Sequence, residues 1–121
     1  MKIDILKKYF QSWIDIDTET VKATFSKNAV YSECYGPEYH GISQILKWFA
    51  DWNQKGKVLE WTVRRAIESE STVVAVWYFK CENNGEIDGF DGVTVADFDD
   101  NMKITKLCEY QSKSDHYFPY D

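Results

Sequence analysis

The sequence predicts an α+β fold, a cone-shaped roll. Three N-terminal helices, one of them after the first strand, pack on a strongly curved, mainly antiparallel sheet. Three observations predict it. Apolar residues recur at helical spacing through most of residues 2–55. Everything after Gly56 reads as strand, and turn residues divide it into four pieces. The resulting order, α-α-β-α-β-β-β-β, places helices before an antiparallel meander, and a sheet wrapped on a long helix leaves a conical interior suited to a small molecule.

Ile3, Leu6, Phe10, Trp13 and Ile14 paint one stripe on a helix over residues 2–15. Asp15 to Thr18 offers N-caps for a second short helix, with Val21 and Phe25 on one side and an end at Ser26-Lys27-Asn28. Ala29 to Tyr35 is β-branched and aromatic and reads as a strand, stopped by Gly36-Pro37. Gly41 opens a third helix carrying Ile42, Ile45, Leu46, Phe49, Trp48 and Trp52, an apolar arc wide enough to be covered on more than one side. Beyond Gly56, Leu59, Trp61, Val63, Arg65 and Ile67 alternate with Val58, Glu60, Thr62, Arg64 and Ala66. Thr72 to Glu82 is a near-continuous apolar run, and Asn83-Asn84-Gly85 supplies the positive φ of a hairpin turn. Ile87 to Phe98 and Ile104 to Gln111 are the last strands, separated by Asp99-Asp100-Asn101. One domain spans 1–121, with a core over 1–112 and an irregular tail over 113–121.

Composition removes several functions. With 14 basic and 20 acidic residues the formal net charge is -6. An acidic chain with no Lys/Arg stripe repels phosphate backbones and anionic membrane surfaces, so neither nucleic acid nor membrane is an expected partner. The start, Met1 to Phe10, has no apolar run of a secretory signal, and nothing approaches the length of a membrane span. Cys34, Cys81 and Cys108 are an odd set, read as reduced thiols of a cytoplasmic protein. No spacing completes a metal set, no Gly-rich phosphate loop exists, and no cofactor is expected.

Four segments carry a resemblance. They are Phe25 to Tyr31; Gly41 with Ile45 and Phe49; Asp88-Gly89-Phe90-Asp91-Gly92-Val93; and Phe98 to Ile104. Their order and spacing resemble the SnoaL-like branch of the nuclear transport factor 2-like superfamily, with its cystatin-like α+β fold, which includes ketosteroid isomerase. The resemblance implies a small-molecule pocket and a homodimer through the sheets. It also implies chemistry ranging over isomerases, cyclases, hydrolases and dehydratases, or non-catalytic binding. The isomerase's oxyanion-hole tyrosine falls on Tyr9, its general-base aspartate on Glu33 and its second oxyanion-hole acid on Thr94. Glu reaches about one methylene further than Asp, and a Thr hydroxyl is a weaker donor than a carboxylic acid. The comparison therefore speaks against steroid isomerisation itself and leaves a related proton transfer open.

The residues support that on their own terms. Strand alternation puts Glu33 on one face with Tyr31 and Tyr35, where desolvation would raise its basicity. The alternative is a solvent-facing carboxylate or a pair with Arg64 or Arg65. Tyr9 lies beside the Leu6–Phe10 stripe and either donates into the cavity or sits at the core's edge. His40 either shuttles a proton at the pocket mouth or caps a loop. Trp13, Tyr31, Tyr35, Trp48, Trp52, Trp61, Trp77, Phe79, Phe90 and Thr94 are the candidate walls, which suits a small apolar or aromatic molecule. Asp91 alternates away from Phe90 and Thr94. Val74, Val76, Tyr78, Val93 and Val95 leave the opposite sheet face apolar, which calls for a partner such as a second copy. Three functions remain open: a metal-free enzyme with Glu33 as base, a non-catalytic binder, and a dimeric interaction domain filled by its own aromatics.

Overall fold

The computed structural model describes residues 1–121: three helices and one six-stranded mixed sheet. Helix α1 (Lys2–Asp15) buries Leu6, Tyr9, Phe10 and Trp13, which recur every three or four positions on one face. It stops at Ile16 in the left-handed conformation, and Asp17 then caps α2 (Thr18–Thr24) by accepting from the Thr20 backbone N–H. Strand β1 (Phe25–Ser32) follows with no loop. The short strand β2 (Glu38–His40) leads to Gly41 and α3 (Ile42–Lys55). The meander is β3 (Gly56–Ser69), β4 (Thr72–Asn83), β5 (Glu86–Phe98) and β6 (Ile104–Ser112). Asn84 and Gly85, both at positive φ, make the predicted tight turn between β4 and β5.

The sheet order is β2-β1-β6-β5-β4-β3. All pairings are antiparallel except β1 with β6, which is parallel. The early strand therefore joins the meander at its far end, beside β6. No helix is long and apolar enough to cross a membrane.

Four local expectations change. The second helix ends at Thr24 and the strand begins at Phe25, four residues earlier than composition suggested. That strand ends at Ser32, so Glu33 to Tyr35 lie in a turn held by Glu33 N–H donating to the Pro37 carbonyl and Gly36 N–H to that of Glu33. Glu38–His40, expected as loop, pairs with β1 instead. In β3 simple alternation fails. Register breaks between Val58 and Glu60 and between Val63 and Arg65 each insert one residue. Val58, Trp61 and Val63 thus lie opposite Cys81, Phe79 and Trp77, while Leu59 and Ile67 are left exposed.

Strand β4 buries Val73, Ala75, Trp77, Phe79 and Cys81 on one face; β5 buries Phe90, Gly92, Thr94, Ala96 and Phe98. Their other face carries half-buried Val74, Val76, Tyr78, Val93 and Val95. Asp91 lies on that outer side, where Arg64 pairs with it at 3.1 Å and covers the Tyr78 ring. Gly92 is set opposite Trp77 in the register. A Cβ there would stand 2.2 Å from the Trp77 ring and 2.6 Å from the Tyr110 carbonyl. Gly92→Ala is expected to destabilise the fold by about 1–3 kcal/mol through overpacking, read as a lowered urea midpoint at unchanged slope.

Candidate functional site

A half-open cavity of about 50 Å³ lies among α1, α3, the turn after β1 and strands β3 to β6. Trp13, Trp48, Trp52, Val58, Trp61, Trp77, Phe79 and Phe90 make most of its wall, with Tyr35 and Cys34 from the turn. The indoles and phenyls hold one another in tilted and edge contacts. Trp13 meets Trp48, Phe49 and Trp52 at 4.5–5.5 Å, and Trp61 stacks on Phe10 at 4.1 Å. The Trp61 indole N–H is buried without a partner. At about 10–15 Å³ per water, the free space holds roughly three to five waters.

Two carboxylates break this apolar lining, Glu33 and Glu109. Glu109 leaves β6 on the inner face, opposite Thr94 of β5, and is only 9% exposed. It ends a chain of hydrogen bonds through the core. The Trp13 indole N–H donates to the Tyr9 hydroxyl at 2.9 Å. Tyr9 donates to the Tyr31 hydroxyl at 2.8 Å, and Tyr31 donates to Glu109 Oε2 at 2.5 Å. The indole N–H can only donate and each hydroxyl here accepts one bond and donates one, so the chain runs one way, toward Glu109. Glu109 Oε1 has no protein partner.

Burial pushes the Glu109 carboxyl up to about 8; the Tyr31 hydrogen bond opposes this and the neighbouring Glu33 charge adds to it. Because Tyr31 already donates to Oε2, the proton of the neutral acid sits on Oε1. Desolvation also raises Glu33, with the Tyr39 hydroxyl partly offsetting it, and Glu33 is only half-buried. Tyr9 and Tyr31 are lifted well above the ordinary phenol range by burial. Burial, then the Glu109 and Glu33 charges, push the Cys34 thiol up to about 12, so it remains a neutral wall group.

The structure brings together Glu33 and eight of the ten expected wall residues: Trp13, Tyr35, Trp48, Trp52, Trp61, Trp77, Phe79 and Phe90. Tyr9, Tyr31 and Thr94 stand behind the wall, fully buried. Tyr9 and Tyr31 are linked to Glu109 by hydrogen bonds, and Thr94 accepts from the Trp77 indole at 2.8 Å. His40 is not at the cavity. It is exposed on β2, its ring 2.8 Å from Glu38. The residue that sequence reading missed is Glu109. The pattern Leu107-Cys108-Glu109, a carboxylate in phase with a core leucine, was the available signal.

Folded Glu109 keeps a proton that the unfolded chain releases near the ordinary carboxylate value. The folded state therefore binds more protons between about pH 5 and about pH 8. Stability should fall as pH rises through that window, by at most about 1.4 kcal/mol per pH unit, with Glu33 pulling the same way. Urea unfolding across that range measures the slope, and Glu109→Gln should flatten most of it.

Several comparisons bear on this arrangement. No curated protein matches the sequence. Among solved structures, a hypothetical protein of ketosteroid isomerase-like fold from Catenulispora acidiphila, in complex with trimethylamine, superposes with a TM-score of 0.80 at 18% identity, over 89% of this chain and 85% of that one. A protein described as a SnoaL-like polyketide cyclase from Shewanella denitrificans gives 0.78 at 17%, over 92% and 90%. An epoxide hydrolase of M. tuberculosis gives 0.82 at 16%, over 92% and 82%. At such identities these likenesses speak for the fold. The family profile of the SnoaL-like domain matches residues 6–107, from α1 to the inner face of β6, and the chain belongs to that family.

Proposed function

We propose that this SnoaL-like domain encloses a small organic molecule and moves a proton on it with Glu33 and Glu109. The observation that carries the reading is the shared cavity of the two carboxyls. One is half-buried; the other is buried, with one oxygen fixed by Tyr31 and the other free. Environments that separate two such groups assign acid and base. Glu109, neutral near pH 7, is the acid, giving the proton on Oε1 to a developing oxyanion or leaving oxygen. Glu33, less buried, is the base and takes a proton from carbon or from water. Tyr9, Tyr31 and Trp13 are positioning residues for Glu109. The Cys34 thiol and Tyr35 close the mouth side.

Proton abstraction beside a carbonyl, or addition or loss of water, fits these roles without a metal. The structural neighbours described as a polyketide cyclase and an epoxide hydrolase support that range. The trimethylamine complex of the Catenulispora protein supports a ligand of small size. The narrow free space favours a second reading, in which the aromatics fill the cone and the domain binds without turnover.

We further infer that the sheet curves around α1 as a cone and that two copies meet on the outer face of Val74, Val76, Tyr78, Val93 and Val95. Those five side chains are half-buried on the face opposite the core, and an apolar sheet face of that kind calls for a partner. The three unpaired thiols fit a cytoplasmic setting.

Native mass spectrometry of protein from its own cell lysate should show a dimer with a retained small molecule. Val76→Lys is expected to give a monomer. The bound molecule should gain deuterium at carbon in deuterium oxide, or oxygen-18 in water labelled with oxygen-18. Glu33→Gln and Glu109→Gln should each slow that by about 100-fold or more. Label uptake at the wild-type rate in both variants would overturn the roles of the two carboxylates, and no uptake by the wild-type protein would leave only the binding reading.

A further inference from the structure

The polar groups of the cavity are unevenly signed. Its ionisable wall groups are Glu33, Glu109, Cys34 and Tyr35, and no Lys, Arg or His lines it. Burial holds the thiol and the phenol neutral, so any charge facing a ligand is negative. Glu109 Oε1, on a side chain that is nine-tenths buried, has neither a hydrogen bond nor a counter-ion within the chain. A buried carboxylate without a cation is expensive to keep ionised.

The remaining wall is indole and phenyl. Trp13, Trp48 and Trp52 form one side; Trp61, Trp77 and Phe79 form the other. The faces of such rings carry the negative lobe of the quadrupole and attract weakly hydrated cations. Two carboxylates in this wall fall well short of the roughly six to eight oxygens that calcium takes, and the indoles and phenyls offer none of the rest. An alkylammonium asks for less. Its diffuse charge lies against ring faces, and its N–H or polarised C–H groups meet a carboxylate. The size agrees, since room for roughly three to five waters is room for four or five heavy atoms.

We propose that the ligand is a compact organic cation, an alkylammonium or quaternary ammonium head group caged by the indoles, with Glu33 as its counter-charge and Glu109 as a second one once that carboxyl has released its proton. This rests on the reading of the cavity as a ligand pocket and names the ligand's class. The overall charge of -6 works in the same direction, drawing cations toward the chain.

The test uses choline chloride, whose trimethylammonium head group has about four heavy atoms and whose hydroxyethyl arm would lie in the open mouth, and 3,3-dimethylbutan-1-ol, the same skeleton with carbon in place of the charged nitrogen. Isothermal titration calorimetry on the full chain at pH 8.5 measures both, with sodium chloride matched. Choline is expected to bind at least about tenfold more tightly than the alcohol, and Glu109→Gln to remove most of that difference. Gln retains an acceptor for Tyr31, and Glu33→Gln, at a half-buried position, gives a second variant should the first fold poorly. Equal affinity for the two compounds would overturn the cation assignment and leave the pocket reading standing. Binding of neither would overturn both. Choline affinity unchanged in both Gln variants would overturn the role of the carboxylates.

Discussion

A carboxyl group inside an aromatic core is the constraint on which the rest of this structure turns. Glu109 has to be buried, partnered and still open to the cavity on one side. The parallel pairing of β1 with β6 makes that possible, because it sets Ser32 beside Cys108 and so brings Tyr31 within reach of a residue 78 positions away. Tyr31 alone would leave its own oxygen short of a donor. Tyr9 from α1 supplies one, and Trp13, one helical turn later, supplies the next. The first helix, the first strand and the last strand are thus fastened by a polar seam as well as by apolar contact. Half-satisfied, such a seam would be worse than hydrocarbon; here each hydroxyl both gives and receives.

The helices, the four-strand meander and the Asn84-Gly85 turn were legible in the sequence, because each rests on local periodicity or local φ. What escaped was set at long range. Phe25 to Asn28 looked like the end of a helix because Val21 and Phe25 share helical spacing; the parallel pairing with Ile104 and Lys106 draws the segment into the sheet instead. Glu38–His40 is too short for any strand signal and exists only because β1 offers it an edge. The face assignment in β3 failed at two inserted residues, which no alternation rule can locate.

The candidate site divides the same way. Its aromatic wall was readable, since eight of the named rings surround the cavity. Glu33 was also readable, though from a turn rather than from the strand assumed for it. Glu109 was invisible because it gains meaning only from Tyr31 and Tyr9, both distant in sequence. His40 drew attention as an imidazole just before the third helix, Tyr9 because the resemblance set it at the isomerase's oxyanion-hole tyrosine. The structure leaves His40 exposed against Glu38 and buries Tyr9 fully, with its hydroxyl on Tyr31, and neither depth could be read from the residue itself.

All five tryptophans of the chain stand around one cavity of about 50 Å³. The protein therefore has no distant indole to dilute an optical signal. Its ultraviolet emission is the emission of the pocket wall, with the buried tyrosines as donors feeding it. Any molecule that enters displaces water beside several indoles together, and any loosening of the core wets them together. Filling and melting should shift the spectrum in opposite senses, so the domain carries a built-in, label-free gauge of whether its interior is dry, occupied or opening.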